Sequence, residues 1–245
     1  MTFGIESSNI VGYTSKEAPQ GKFIILGVQF EGVAGGVKIN DLISGVVGVD
    51  FDEEGAFRNT AAQIQVPAAV GYDTYYYLNN AWSTETETEV AGWADAAGDL
   101  TDAELMPGVA IWCKSVGGDA DASVAGAVPA EDEATIACPT VFALRANVFP
   151  MDIVLNSGKM SSVDVKGVDF DEEGSFRDTA TQIQVPATVG YDTYYYLNNA
   201  WSTETGTEVA GWADAAGDLA SGVIPAAQGF WTKGVSGAFN LKFIK

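Results

Sequence analysis

The sequence predicts an all-β protein: two tandem antiparallel β-sandwich or barrel domains, jelly-roll-like, produced by internal duplication. Three observations predict it. The block "GVDFDEEGAFRNTAAQIQVPAAVGYDTYYYLNNAWSTETETEVAGWADAAGDL" at 48–100 recurs at 167–219, an offset of 119, with 48 of 53 positions identical. The chain is rich in Gly, Val, Thr and Tyr and has no long helix-forming run, a composition that favours strands and turns. Short segments of alternating polar and apolar residues are separated by Gly, Pro and Asn.

The duplication divides the 245 residues into a first β-domain at 1–121 and a second at 122–245. Either unit is long enough to bury a core. The five differences in the block are Ala56/Ser175, Asn59/Asp178, Ala62/Thr181, Ala69/Thr188 and Glu87/Gly206. Beyond it the register persists more weakly. Trp112-Cys113-Lys114 aligns with Trp231-Thr232-Lys233, and Phe23 and Phe30 align with Phe142 and Phe149. "IVGYT" at 10–14 is matched with "VAGAV" at 124–128, and the small, acidic stretch 116–126 reads as the boundary. Two repeats are too few for a solenoid or propeller. The copies differ at their ends and agree in their middles, the pattern expected when ends meet different neighbours in an assembly.

Within each copy, "AAQIQV" alternates as a strand with one wet face and "PAAVG" ends it. "YDTYYYL" is strongly strand-forming, with Tyr75 and Tyr77 on one face and Tyr76 on the other. Asn79-Asn80 is expected to turn the chain back into "AWSTETET", closing a three-stranded meander. "GVAIWCKSV" and "GFWTKGV" read as late strands. "GAFNLKFIK" reads as a final strand with Phe239, Leu241 and Phe243 on one face. Only "KINDLISG" and "VAGWADAAGDL" have the pattern for a helical turn.

Charge and composition exclude several functions. The net charge is −21, from 12 Lys and Arg against 33 Asp and Glu. Residues 1–121 carry 5 basic and 18 acidic side chains (−13), and 122–245 carry 7 and 15 (−8). Neither half has the basic face of a nucleic-acid binder. There is no histidine, so a Ser-His-Asp triad, a Cys-His pair and any His-ligated metal or haem are impossible. Acidic residues are plentiful, but no carboxylate pair stands out as a glycosidase pair. No enzyme is expected, and no catalytic, cofactor-binding or metal-ligating residue is assigned. No apolar run is long enough for a membrane helix, and the first residues lack the basic and apolar regions of a signal peptide.

Three features carry a functional reading beside a plain one. "DFDEEG", with Asp50, Asp52 and Glu54 and again Asp169, Asp171 and Glu173, has the spacing of a calcium loop. Its twelfth position is Ala61 or Ala180, so the bidentate Glu is missing, and a solvated acidic turn is the plainer expectation. Tyr75-Tyr76-Tyr77 and Trp82 offer rings for sugar stacking or, more plainly, for core and surface. Cys113 and Cys138 form either a disulfide across the domain junction or two buried thiols.

The order "NIVGYT", "GKFIILGVQFEGV", "INDLISG", "AQIQV", "GYDTYYYLNNAW", "IPAAQGFWTK" resembles a family of uncharacterised, secreted β-rich repeat proteins of Verrucomicrobia-like and Lentisphaerae-like bacteria. The resemblance spans each copy, although the second has no clear "IVGYT". It implies secretion and a cell-surface or extracellular location, and no enzymatic role. The expectation is therefore a structural protein, self-assembling into an extracellular filament or surface layer. Terminal strands such as "SNIVGYT" or "AFNLKFIK" would pair with a neighbour's open sheet edge. The alternative is a carbohydrate-binding surface module with a cell-surface polysaccharide as partner. Neither reading requires a cofactor.

Overall fold

The computed structural model describes residues 11–32 and 36–245. The chain is all-β, as the alternation requires. The first copy contributes β1 (Val11–Ala18), β2 (Phe23–Gly27), β3 (Val37–Lys38), β4 (Ile43–Ser44), β5 (Gln63–Pro67), β6 (Tyr72–Ser83), β7 (Thr88–Ala94), β8 (Glu104–Leu105), β9 (Ala110–Lys114) and β10 (Ala120–Ala127). The second contributes β11 (Glu133–Cys138), β12 (Ala143–Ala146), β13 (Ile153–Val154), β14 (Met160–Val163), β15 (Gln182–Pro186), β16 (Tyr191–Ser202), β17 (Thr207–Ala213), β18 (Val223–Ile224), β19 (Gly229–Lys233) and β20 (Phe239–Ile244).

Both copies build the same sheets. A five-stranded sheet runs β2-β9-β5-β6-β7 in one and β12-β19-β15-β16-β17 in the other. A three-stranded sheet runs β1-β10-β4 or β11-β20-β14, and a two-stranded one pairs β3-β8 or β13-β18. The named strand pairs are antiparallel, and the five- and three-stranded sheets pack face to face as a sandwich. In the first copy Leu26, Ile64, Trp93, Ile111 and Cys113 of the larger sheet meet Ile43, Ala122 and Val124 of the smaller. No helix among the described residues is long and apolar enough to cross a membrane.

Several local expectations change. β10 pairs with β1 along its length and with β4, so the strand pairing of the first copy runs on to Ala127 and the division between 121 and 122 falls inside a strand. "VAGAV" is therefore not the counterpart of "IVGYT". Its strand is the counterpart of β20: Ala120, Ala122 and Val124 sit 119 residues before Phe239, Leu241 and Phe243, and all six are buried. The sequence match was obscured because the same inward positions carry small side chains in one copy and large ones in the other. β11 takes the place of β1, pairing with β20 as β1 pairs with β10.

Asn79-Asn80 is not a hairpin turn. β6 runs through it with a bulge between Leu78 and Ala81, and the turn falls later, at 84–87. The two amides are engaged elsewhere: Asn79 Nδ2 donates to Asp50 Oδ1 at 3.0 Å, and Asn80 Oδ1 accepts from Phe51 N–H at 2.7 Å. At that later turn Glu87 has φ 54°, where the second copy has Gly206 at φ 66°. "VAGWA" is strand β7 rather than a helical turn. "KINDL" does hold a 3-10 turn, at Ile39–Asp41. The only α-helical turns among the described residues, α1 (Phe57–Thr60) and α2 (Phe176–Thr179), follow the acidic loops.

Trp93 and Trp212 occupy the same core position with different polar surroundings. Trp212 Nε1 donates to Ser162 Oγ at 3.0 Å. Ile43 stands 119 residues before Ser162, and Trp93 Nε1 is buried with no acceptor among the described residues.

Candidate functional site

The acidic loop is a structural turn. Asp52 accepts from Ala56 N–H at 2.8 Å and Phe57 N–H at 2.9 Å, capping the helical turn α1, and Asp171 does the same for Ser175 and Phe176. The Ala56 amide, foremost among these donors, holds the Asp52 carboxyl below its ordinary range. With Asp50 bonded to Asn79 and Asp52 spent on the cap, the carboxylates do not converge. Among the described residues no three His, Cys, Asp or Glu side chains group as a metal site would need.

The tyrosine run divides between two cores. Tyr75 and Tyr77 pack on the main core, and Tyr77 meets Trp93 edge-on at 5.4 Å between centroids. Tyr76 points the other way and packs edge-on against Phe57 at 5.1 Å. Tyr75 and Tyr77 are half-buried and Tyr76 is buried. Trp82 and Trp201 are 44% and 45% exposed and stand outside any aromatic pair among the described residues.

The cysteines are two free buried thiols in different cores, Cys113 in the first copy's and Cys138 in the second's. Burial pushes both upward, opposed at Cys113 by the Lys16 ammonium. A thiol raised in the folded state supplies stability that is complete below its unfolded value, 9.0, and is lost as pH rises above it. Burial shifts Lys16 downward, which acts in the opposite sense: its cost fades as pH approaches the ordinary value of 10.5. Urea midpoints measured from neutral to alkaline pH should fall from about pH 9, by up to about 1.4 kcal/mol per pH unit for each thiol. Cys113→Ala, though less stable at neutral pH, should show a shallower fall. A flat alkaline profile would contradict this.

The two copies meet through the larger sheets. Gly27 N–H donates to Ala227 O at 2.8 Å, and the counterpart pair, Ala146 N–H and Gly108 O, lies at 2.9 Å. A small apolar cluster of Ile25, Ala110, Leu144 and Ala146 closes the contact. Equivalent residues meet one another here, which is the signature of an approximate two-fold relation between the copies. Gln29, fully buried, ties the copies directly: its Nε2 donates to Phe149 O at 2.9 Å and its Oε1 accepts from Ala227 N–H at 2.7 Å. Lys16 Nζ donates to Gln228 Oε1 at 2.6 Å and Ile25 O at 3.1 Å.

An aromatic row crosses this junction. Trp112 lies 6.2 Å from Trp231, Phe23 lies 6.2 Å from Trp112, and Phe142 lies 6.4 Å from Trp231. Lys114 sits over Phe23 at 5.6 Å and Lys233 over Phe142 at 5.1 Å, so both ends match. Beside the row a cleft of about 630 Å³ lies between the copies, lined by Pro67 and Tyr72 from the first and by Phe142, Leu144, Arg145 and Trp231 from the second. A shallower one, about 340 Å³, continues from Phe142 and Trp231 to Gln184 and Tyr191.

The sequence reading singled out none of these rings as a site. The only signal was the 119-residue alignment of Phe23 with Phe142 and Trp112 with Trp231, which falls outside the near-identical block. Comparison with protein-family models, with curated proteins and with solved structures finds no match.

Proposed function

We propose that the chain is a structural, non-catalytic subunit of an extracellular filament or surface layer, in which neighbouring chains join through strand and surface contacts of the two β-units. The observation that carries this is the duplicated outer surface. The segments that differ between copies, β2 and β9 against β12 and β19, meet each other. The near-identical blocks offer outward residues twice at matched exposure: Val70 and Val189 at 93% and 90%, Tyr72 and Tyr191 at 41% and 43%.

The hairpin tips, 67–72 and 186–191, contain no charged residue, in a chain of net charge −21. Two acidic chains can approach there with least repulsion. A chain with two such faces is bivalent, and a contact that does not close on itself propagates.

The strand-addition idea narrows. "AFNLKFIK" is not a free donor, because β20 is hydrogen-bonded on both sides, to β11 and β14. β1 lies at the edge of its sheet, which fits addition of a strand there. Residues 1–10 of the proposed amino-terminal donor lie outside the described residues.

Negative-stain microscopy of the wild type, of Val70→Asp and Val189→Asp singly, and of the pair tests the proposal. The wild type should form regular polymers. Each single variant should stop at small oligomers, and the pair should remain single particles with unchanged thermal unfolding. Undiminished polymers of the paired variant, or single particles of the wild type at every salt and calcium level, would defeat it.

A further inference from the structure

We propose that the trough across the copy junction is a binding site for an uncharged pyranose polysaccharide, whatever larger assembly the chain enters. The rings that line it are Tyr72, Phe142, Trp231 and Tyr191, contributed by both copies. Tyr72, Phe142 and Tyr191 remain 41%, 44% and 43% exposed, although large apolar surface on a soluble chain is usually covered. Both clefts contain Phe142 and Trp231, so one surface runs without a break from Tyr72 to Tyr191.

The lining mixes ring faces with fixed polar donors. The Arg145 guanidinium is held by Ala137 O at 2.8 Å and Leu144 O at 3.0 Å, leaving further N–H donors of its planar head for a ligand. Gln184 adds an amide beside Tyr191. A pyranose needs this combination: its C–H face packs on an aromatic ring, while its hydroxyls take donors and acceptors at the rim. Two clefts that share Phe142 and Trp231, about 630 and 340 Å³, leave room for more than one sugar.

Charge selects among partners. Neither cleft has a carboxylate in its lining, although the chain carries 33 acidic residues. A cationic ligand would find no counter-charge inside. A polyanion would find Arg145 and Lys233 at the trough, but the summed field of a chain at −21 opposes its approach. A second copy that docks on Val70 and Val189, which line neither cleft, leaves the trough open. A neutral glycan meets none of these obstacles.

Native gels cast with soluble neutral glycans (hydroxyethyl cellulose, xylan, glucomannan) and with polygalacturonate test this on unassembled chain taken from gel filtration. Protein-fluorescence quenching provides a second reading on the wild type alone. At least one neutral glycan should retard the wild type and quench its tryptophans. Phe142→Ala combined with Tyr191→Ala removes exposed rings only and should weaken retardation by about tenfold or more. Trp82→Ala combined with Trp201→Ala, outside the trough, should leave it unchanged. The proposal is overturned by no retardation in any neutral glycan, by retardation in polygalacturonate alone, or by retardation that survives the Phe142 and Tyr191 changes. Loss of a wild-type dimer in that variant, with no glycan retardation at all, would identify the trough as a self-association face instead. Because unassembled chain is used, failure of polymer formation and failure of glycan binding are read separately.

Discussion

Replacing Gln29 by methionine is expected to destabilise the chain by about 2 kcal/mol, although the side-chain volume barely changes. The amide of Gln29 is fully buried and bonded at both ends to the second copy, to Phe149 O and Ala227 N–H. Methionine fills the space but leaves the Ala227 N–H without a partner, while Phe149 O keeps its bond from Met151 N–H at 2.8 Å. An orphaned backbone group costs about 1–3 kcal/mol when buried, and Ala227 is 6% exposed. Urea unfolding should show a lower midpoint with an unchanged slope. A loss below about 1 kcal/mol would mean that the Ala227 N–H finds another partner, and that Gln29 is not the polar link between copies.

Gly229→Ala is the second large effect, about 2 kcal/mol of destabilisation from a single methyl. A Cβ at 229 would overlap Ile25 Cγ2 and stand 2.5 Å from Ala110 Cβ, both across the copy junction. The reason is chemical asymmetry in an approximately symmetric contact. Position 110, the counterpart of 229, accepts an alanine because the residue in the role of Ile25 is Leu144, which has no branch at Cβ. The triple variant Gly229→Ala, Ile25→Leu, Ala110→Gly reproduces on one side what the other already has. It should recover most of the loss, a coupling visible in a mutant cycle because the three residues touch. If Gly229→Ala is neutral, or the triple variant is no more stable than the single one, this account of the junction fails.

Both effects sit where the copies have diverged. Duplication leaves two identical surfaces, and packing one on the other by an approximate two-fold makes each residue face its own counterpart or its neighbours. Gly27 opposite Ala146 shows the consequence. A Cβ on Gly27 would come within 2.9 Å of the Ala146 methyl, so only one of the two positions carries a side chain. The divergence at the ends of the repeat, read from sequence as a trace of assembly between chains, has at least this intrachain cause.

The strands with a clear period of two were legible from residue pattern, whereas "VAGWA" and the passage of β6 through Asn79-Asn80 were not. The period of two in "QIQV", in "YDTYYYL" and in "FNLKF" follows from burying one face of a sheet, and the inward residues are the ones the alternation names. The duplication was legible because side chains record it directly. Histidine-dependent chemistry was excluded by composition, since no packing can supply the missing residue.

Turns and partners were decided by the tertiary structure. Asn79-Asn80 has the residues of a hairpin, but their amides reach the acidic loop 29 residues earlier, and those bonds keep the strand running. "DFDEEG" has the spacing of a cation loop, but backbone amides of the next turn occupy Asp52. The aromatic trough is hidden in the sequence, because Phe142, Trp231 and Tyr191 lie on or next to strands of one sheet that are far apart in the chain, and Tyr72 joins them only when the copies pack. A local pattern reports which face of a strand is buried; it carries no record of what packs against the other face, which depends on residues more than a hundred positions away.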